Sequence, residues 1–378
     1  MLVETTNHYG RSVIRGIDRY AMQNNWEITL ELRGQSEPLP DWLDSWDGDG
    51  VIVRSGNVHS AKRLRQMGLP VVEMAGNRTN YKTDVLVDER LVAKMAADHL
   101  LGCGFQNFAF YSYGMSWWSL DRGNTFVEEM NARGYECPRI QPTSGNVNAI
   151  IPKWSLDERK RLQKWLLHLP KPVAIFATED IHAREVLLAC RKNELSVPGE
   201  VAVLGLGDDP LFCQHLFPAL SSIDCNGFQI GWQAAALLDD LFKGHSHPVQ
   251  PIAVPPLHVS VRQSTDVITI SDSDLASALR FLKTADPLCT SVADLMRKVN
   301  MSQKTLERRF RQYLGKTPEQ EIMRLRLERS KILLRETSSS IESVGLKTGF
   351  SSLEHFIRAF KREMKITPGH YRLQAKTG

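Results

Sequence analysis

Two runs of sequence near the C-terminal end carry residues that could form hydrogen bonds to DNA bases. The run SQKTLERRFR, residues 302–311, is echoed fifty residues later, so that Arg308 corresponds to Arg358 and Phe310 to Phe360. An arginine can donate two hydrogen bonds to guanine, and a glutamate can accept one from cytosine; each such contact contributes about 1–3 kcal/mol of discrimination between bases. The repeat therefore predicts two equivalent faces that read DNA sequence.

The spacing of apolar residues indicates what positions these faces. In each run apolar side chains recur every fourth residue, which predicts a helix with one buried face; they are Leu306, Phe310 and Leu314, and Phe356, Phe360 and Met364. A shorter apolar-spaced helix precedes each run, and tight turns at Asn300-Met301 and Gly349-Phe350 join the pairs. A serine then caps the second helix, and Ser351-x-x-Glu354 has the capping-box pattern. This arrangement predicts a helix-turn-helix unit, present twice.

A long helix between the two units should set their separation. Thr317, Pro318 and Gln320 suit its N-cap, first and third positions, and it should run to about Arg335. Roughly 18 residues span ~27 Å, and successive major grooves lie ~34 Å apart on one face of DNA, so one subunit could read two grooves. The alternative is a helical bundle whose basic face is only solvated, but it leaves the duplicated caps and turns unexplained.

The net charge of +4 is unevenly divided along the chain. From Ile270 to the end there are 21 basic and 12 acidic residues, a net charge of +9, which leaves −5 for the rest. A basic domain on an acidic body indicates one module that binds a polyanion such as double-stranded DNA.

Composition is typical of a cytoplasmic globular protein. The 378 residues suggest two or three domains, and no apolar run approaches the ~18 residues of a membrane span. The first residues, MLVETTNHYGR, lack the apolar core of a signal peptide. Six scattered cysteines without a CxxC pair argue against zinc and disulfides, and we expect neither a metal nor a cofactor.

Residues 1–260 alternate short apolar runs with amphipathic segments, the pattern of a parallel sheet built from βαβ units. Strands are predicted at 50–54, 70–74, 107–111, 173–177 and 201–205, and helices at 91–101, 123–133, 157–167, 182–193 and 228–243. Prolines at 248, 251, 255 and 256 then forbid a helix. We therefore place a first domain at 1–265, a linker at 266–272 and an all-helical domain at 273–378.

The first domain lacks the motifs of α/β enzymes. It has no GxGxxG, GxxxxGK[ST] or GxSxG sequence, and Gly205-Leu-Gly207 lacks a third glycine. His245-x-His247, in a predicted loop, is a weak metal pattern. An α/β enzyme fused to a DNA-binding tail would need a nucleophile–base pair or a phosphate cradle. We find neither in the sequence and expect no catalytic activity.

Residues 273–373 resemble the AraC-type DNA-binding domain. The resemblance rests on the duplicated motif and on GFSSLEHFIRAFKREMKITPGHYR (349–372), which ends in Thr-Pro-x-x-Tyr-Arg. It implies that the side chains facing base edges are Lys304, Glu307 and Arg308 in the first unit, and Leu353, Glu354, His355 and Arg358 in the second. Arg311 and Lys361 would contact phosphates, and Gln303 and Ser352 lie on the same polar faces.

The first domain resembles the sugar-sensing core of the lactose-repressor family, which is related to periplasmic sugar-binding proteins. Matching segments are Tyr9-Gly-Arg11, Val87-Asp88-Glu89, IFATED at 175–180 and VLGLGDD at 203–209. The resemblance implies a periplasmic-binding-protein-like α/β fold of two doubly wound lobes, one from about 1–102 and 224–255 and the other from about 103–223. Three crossovers would join the lobes, with the ligand in the cleft at the strand ends.

A bound sugar needs partners for its hydroxyl groups and an aromatic face for its C–H surface, because a buried unpaired hydroxyl is costly. By the resemblance these are Asn7, Tyr9, Asp88, Arg122, Glu179, Asp180 and Asp208, with Trp117 or Trp118 as the aromatic face. Two positions depart from the family, where Asn or Asp is usual in place of Glu179 and Asp in place of Gly207. The departures leave open a ligand other than xylose.

A sugar-sensing core followed by an AraC-type domain resembles the xylose operon regulators. This order implies a homodimeric transcription regulator, an activator in most relatives, that responds to a small sugar such as D-xylose. Its partners would be double-stranded DNA and RNA polymerase. Two alternatives stay open: the first domain senses a non-pentose ligand, or it serves only to dimerise.

Overall fold

The protein folds as an α/β domain of two lobes followed by an all-helical domain, which confirms the predicted fold class. The computed structural model describes residues 1–34, 37–54, 63–64, 66–74, 84–113, 117–140, 155–246, 248, 250–266, 272–284, 291–364 and 366–377. Its strands are β1 (Val51–Val53), β2 (Val71–Glu73), β3 (Val85–Val87), β4 (Asn107–Tyr111), β5 (Arg139–Ile140), β6 (Val173–Ala177), β7 (Val201–Leu206), β8 (Ser221–Ile223), β9 (Ile252–Val254) and β10 (Val259–Ser260).

Its α-helices lie on both sides of these strands and then form the second domain. They are α1 (His8–Asn24), α2 (Glu89–Gly102), α3 (Trp117–Ala132), α4 (Leu156–His168), α5 (Asp180–Lys192), α6 (Pro210–Cys213), α7 (Gly227–Phe242), α8 (Ser273–Thr284), α9 (Val292–Val299), α10 (Gln303–Leu314), α11 (Pro318–Glu336), α12 (Ile341–Lys347), α13 (Leu353–Met364) and α14 (Pro368–Thr377). None of the described helices is long and apolar enough to cross a membrane.

The described strands form two two-stranded sheets in the first lobe and one six-stranded sheet in the second. In the first lobe β1 pairs with β2 and β3 with β9, both in parallel. In the second lobe the order is β10-β8-β7-β6-β4-β5, and every pair is parallel except β10 with β8. The chain passes between lobes three times: between β3 and β4, after β8, and between β9 and β10. These passages are the three predicted crossovers.

The first lobe depends on a close contact between α1 and α7. A Cβ atom on Gly16 would lie 2.0 Å from the carbonyl oxygen of Phe228, and one on Gly231 would lie 1.9 Å from that of Val13. Neither distance is possible for a carbon atom, so only glycine lets the two backbones approach this closely. The buried side chains around them, including Ile17, form the core of this lobe.

Helix α2 packs on the second lobe, although we predicted the first lobe to extend to about residue 102. Its residues Val92, Ala96 and Leu100 share one core with Phe105 and Phe126. The apolar face of α2 is rich in alanine, and small side chains allow close packing against the aromatic residues of the second lobe. The helix therefore belongs to the second lobe.

The end of the first domain is bound to the second lobe by buried hydroxyl groups. The His99 Nε2 atom lies 2.8 Å from the Thr265 hydroxyl, which donates to the Ser221 hydroxyl at 2.7 Å. The Ser264 hydroxyl donates to the carbonyl of Val203 at 2.6 Å. Because buried hydroxyl groups that are fully paired hold a segment in place, the chain enters the helical domain from a fixed point.

Each helix-turn-helix unit has its own core in the helical domain. The first core contains Leu275, Leu279, Leu295, Leu306, Phe310 and Leu314. The second contains Leu334, Val344, Phe350, Phe356, Phe360, Met364 and Tyr371, together with Leu257 from the first domain. The residues predicted to form the buried faces of the two reading helices are all buried.

Candidate functional sites: a DNA-reading surface and an interlobe cleft

The first helix-turn-helix unit is formed by α9 and α10. Helix α9 ends at Asn300, whose φ of 49° turns the chain, and the Ser302 hydroxyl caps α10 by accepting from the Thr305 amide. The predicted DNA-facing side chains Gln303, Lys304, Arg308 and Arg311 are exposed. Glu307 is half-buried and accepts a 2.9 Å hydrogen bond from Gln303 Nε2.

The second unit is formed by α12 and α13. Gly349, with a φ of 86°, makes its turn, a conformation that favours glycine. The side chains of Glu354, His355, Arg358 and Lys361 are exposed, while those of Ser352 and Leu353 are half-buried. The structure therefore places Arg308 and Arg358 on the solvent side of equivalent helices, with buried phenylalanines behind both.

The N-terminal cap of α13 differs from the prediction. The Ser352 hydroxyl, not that of Ser351, accepts a hydrogen bond from the His355 amide at 3.2 Å. Ser351 is exposed, and α13 begins at Leu353, so Ser352 occupies the capping position. The predicted cap of α11 is confirmed, because Thr317 and Gln320 form a reciprocal capping box.

Arg309 lies on the reading helix but points to the protein. Its Nη1 atom lies 2.8 Å from Asp272 Oδ1 and 3.3 Å from Asp274 Oδ2, at the start of α8. Its charge therefore stabilises the junction of α8 with α10, whereas its neighbours Arg308 and Arg311 are exposed.

A cavity of about 70 Å³ lies between the two lobes of the first domain. Five of the predicted sugar-binding residues line it: Asn7, Tyr9, Trp118, Arg122 and Glu179. It is also lined by three charged residues that the prediction did not include: Arg54, Glu89 and Asp121. Arg54 directly follows β1, and Glu89 follows β3 after one residue. These positions near the ends of strands could have identified both residues from the sequence.

Arg122 is fixed by a buried ion pair. Its Nε and Nη2 atoms donate to the two oxygens of Glu89 at 2.8 and 2.6 Å, and Nη1 donates to the Thr178 carbonyl at 2.6 Å. The guanidinium also lies over the Trp118 ring, 5.5 Å from its centroid. Burial lowers the pKa of Arg122, but the Glu89 carboxylate raises it by more. The net pKa lies above its usual value, so the guanidinium stays charged.

Arg54 occupies the equivalent place on the first lobe. Its guanidinium forms an ion pair with the buried Glu4 and lies 4.9 Å from the centroid of the Tyr9 ring. The cleft therefore has one arginine on each lobe, each stacked on an aromatic ring and paired with a glutamate. Rigid, prearranged donors of this kind can bind the hydroxyl oxygens of a sugar.

Glu179 lies between these two arginines. No donor among the described residues forms a hydrogen bond to its carboxylate, although Arg122 and Arg54 are close enough to act on its charge. Burial raises the pKa of Glu179 above its usual value, and this effect outweighs the opposite effect of the arginines. The Glu179 carboxyl group is thus available to accept a hydrogen bond from a ligand hydroxyl group.

Other predicted sugar-binding residues lie elsewhere. The Asp88 carboxylate caps α2, where it accepts from the Leu91 amide at 3.0 Å. The Asp208 carboxylate is 2.7 Å from Arg262 and lines a larger cavity of about 670 Å³ next to α11. Trp117 begins α3, but its side chain lies outside the described residues.

Asp180 is buried beneath the cleft instead of lining it. Its carboxylate accepts from the Ser222 hydroxyl at 2.5 Å and from the Asp209 amide at 2.8 Å. A Cβ atom on Gly207, whose φ is 126°, would lie 3.2 Å from Asp180 Oδ2. A side chain is therefore disfavoured at Gly207, where the family has an aspartate, and Asp180 holds the ends of β7 and β8 together.

The cleft is too narrow for a sugar as it stands. A cavity of about 150 Å³ is known to hold benzene, whereas this one measures about 70 Å³. A pentose has more atoms than benzene. A wider separation of the lobes would enlarge this cavity, and it is a motion that crossovers allow.

Three family models match most of the chain. An XylR N-terminal domain matches residues 1–89, a periplasmic binding protein-like domain residues 97–265, and a helix-turn-helix domain residues 295–374. Among solved structures, that of a xylose-binding transcription activator, XylR, is similar over 98% of this chain and 96% of its own, with a TM-score of 0.62 and 27% identity. A lactose-repressor-family regulator from Enterococcus faecium with bound ribose shares the fold of the first domain, at 18% identity and a TM-score of 0.54 over 69% of this chain and 95% of its own.

Curated relatives match over nearly the same length. The xylose operon regulatory protein of Haemophilus influenzae is 29% identical over 99% of this chain and 97% of its own. That of Escherichia coli strain K12 is 30% identical over 98% of this chain and 96% of its own. The chain belongs to the family of the xylose operon regulatory proteins.

Proposed function

We propose that the protein is a sugar-responsive, DNA-binding transcription regulator whose effector is a small neutral sugar, with D-xylose as the first candidate. The observation that carries the proposal is the pairing of two exposed cationic faces, on α10 and α13, with an interlobe cleft in the same chain. The curated relatives that span the whole chain are regulators of a xylose operon.

The DNA-reading side chains are proposed to divide into two kinds. Arg308 and Arg358 donate to guanine edges, supported by Glu307, His355 and their exposed neighbours. Arg311 and Lys361, one turn further along each helix, contact phosphates and supply affinity that depends on salt. These assignments follow from exposure and from the equivalence of the two units.

The sugar-binding set proposed for the cleft is Asn7, Tyr9, Arg54, Trp118, Arg122 and Glu179. Closing of the lobes around the sugar would change the position of the helical domain, and this requires that the closed state bind the sugar more tightly than the open one. A cytoplasmic homodimer that activates transcription through contact with RNA polymerase completes the proposal.

A second candidate is a regulator of the same kind with a ligand other than xylose. Two observations favour it: Glu179 supplies a carboxyl group in the cleft, and Gly207 supplies no side chain. Both change the hydrogen bonds available to the hydroxyl groups of the ligand. Thermal unfolding of the full chain with D-xylose, L-arabinose, D-ribose and D-glucose separates the two candidates, because a ligand that binds only the native state raises the unfolding temperature.

The DNA-reading assignment has its own test. We expect the double variant Arg308→Ala/Arg358→Ala to lose specific gel shifts of an operator obtained by in vitro selection with the full chain. Arg191→Ala removes an exposed arginine from the first domain and is the matched control. Full sequence-specific binding by the double variant would exclude this role for the two arginines.

A further inference from the structure

The third crossover of the first domain, residues 255–258, is also part of the second helix-turn-helix unit. Leu257 is 7% exposed and lies in one core with Leu334, Phe356 and Phe360. We propose that this crossover is the element through which sugar binding moves the second reading helix. The inference rests on the proposed function, since it requires a cleft that responds to sugar.

A continuous set of contacts leads from the crossover to the reading helix. His258 is 5% exposed, and its Nδ1 atom lies 3.4 Å from the hydroxyl of Tyr371 on α14. The buried Tyr371 ring meets Phe360 of α13 edge to face, with centroids 5.3 Å apart. Because buried side chains pack at high density, a displacement of the crossover cannot be absorbed without moving α13.

The same crossover is joined to the cleft. The Leu257 amide donates to the Asp224 carbonyl at 2.9 Å, and the Asp224 amide donates to the His258 carbonyl at 2.9 Å. Asp224 lies in the second crossover, next to Cys225, which lines the interlobe cavity. The second and third crossovers therefore move as one unit when the lobes open or close.

The first helix-turn-helix unit is attached to a different part of the sensor. Lys316, after α10, lies 3.3 Å from the Asp98 carboxylate on α2, and Gln106 Nε2 donates to the Tyr313 carbonyl at 3.4 Å. Helix α2 belongs to the second lobe. Motion of the crossovers relative to that lobe would therefore change the placement of α13 relative to α10, and with it the fit of both helices to successive grooves.

The test uses the full chain and three variants. Tyr371→Phe removes only the hydroxyl that meets His258, and Leu257→Ala removes the crossover side chain from the second core. Leu279→Ala is the matched control, because it truncates a buried leucine of the first core. Two quantities are measured: the affinity for the sugar that gives the largest thermal shift in the four-sugar panel, and the affinity for the selected operator with and without that sugar.

We expect Tyr371→Phe and Leu257→Ala to bind sugar within about threefold of the wild type. In the wild type we expect sugar to change the operator affinity by about tenfold, a size typical of coupling between sites. In these two variants that change should be lost. Leu279→Ala should keep the wild-type change. An unchanged response in Tyr371→Phe, or an equal loss in Leu279→Ala, overturns the inference even if Leu257→Ala fails to fold. If the operator affinity of the wild type does not change with any sugar that it binds, the proposed function is overturned. This inference is then overturned with it.

Discussion

At the scale of single residues, each of the two arginines in the cleft is paired with a glutamate, whereas Glu179 has no such partner. Arg54 is paired with Glu4, and Arg122 with Glu89, so each guanidinium already has its carboxylate. Glu179 adds a further carboxyl group without a hydrogen-bond donor among the described residues, and Asp121 also lines the cleft. The cleft should therefore accept hydroxyl donors and reject ligands that are themselves anionic.

The variant Glu179→Gln tests this selectivity. We expect the wild type to bind the effector sugar and to reject its aldonic acid, and the variant to bind the sugar about tenfold more weakly, because hydrogen bonds to charged groups are worth roughly 1.5–3 kcal/mol. The difference in affinity between the sugar and its aldonic acid should become smaller in the variant, because the carboxyl group is lost. Calorimetric titration at pH 7 measures both, with the exposed Glu194→Gln as control. An unchanged difference in affinity would show that Glu179 does not determine this selectivity.

Asp180 should make stability depend on pH. Burial, which outweighs its hydrogen bonds from Ser222 and Asp209, raises the pKa of Asp180 to about 7 from 3.8. The folded state then binds a proton that the unfolded state releases, so the contribution is fully present below about pH 4 and is lost as the pH rises to about 7.

The expected size of this loss is on the order of a few kcal/mol. In Asp180→Asn the part of the pH dependence between about 4 and 7 should disappear. Chemical denaturation at pH 5, 6, 7 and 8 measures it for both proteins. If the unfolding free energies of the wild type and the variant changed with pH in the same way, the assignment to Asp180 would be contradicted.

The resemblance to sugar-sensing domains predicted part of the cleft. Tyr9, Arg122 and Glu179 line it, but Asp88 and Asp180 bind backbone amides or hydroxyls. A carboxylate after a strand also lies near the free amides of the next helix, and these compete with a ligand for it. The sequence alone does not distinguish the two uses.

At the scale of elements, periodicity and duplication predicted the structure well, and exact caps less so. Strands 107–111 and 173–177 and both reading helices lie where predicted. The cap of α13 shifted from Ser351 to Ser352, since both adjacent serines suit that position. The place of α2 on the second lobe could not be predicted, because its partners, Phe105 and Phe126, are brought together only by the tertiary fold.

The packing of α1 on α7 gives a prediction for stability. Gly231→Ala would force a Cβ atom to within 1.9 Å of the Val13 carbonyl oxygen, so the helices must separate. We expect a loss of about 3 kcal/mol or more of unfolding free energy, as for other overpacked cores. Gly369→Ala, where no atom lies within 4 Å, is the control and should change stability little. Denaturant unfolding of both variants gives the comparison, and an equally small effect would refute the close-packing argument.

At the scale of the whole molecule, the two reading helices contact different parts of the sensor. The first unit contacts the second lobe through Lys316 and Asp98, and the second unit contains Leu257 of a crossover. If the affinity for DNA depends on the spacing of the two reading faces, it would then change with the arrangement of the lobes around the cleft. The small cavity of about 70 Å³ favours a change in the lobe arrangement when sugar binds.

The central claim is that one chain couples sugar binding to the reading of DNA. Its most direct test is the affinity of the full-length protein for its selected operator, measured by fluorescence anisotropy with and without the sugar that stabilises it. We predict that saturating sugar changes the affinity by about tenfold, and that the double variant Arg308→Ala/Arg358→Ala shows no specific binding in either condition. Equal affinity with and without a sugar that demonstrably binds would contradict the account.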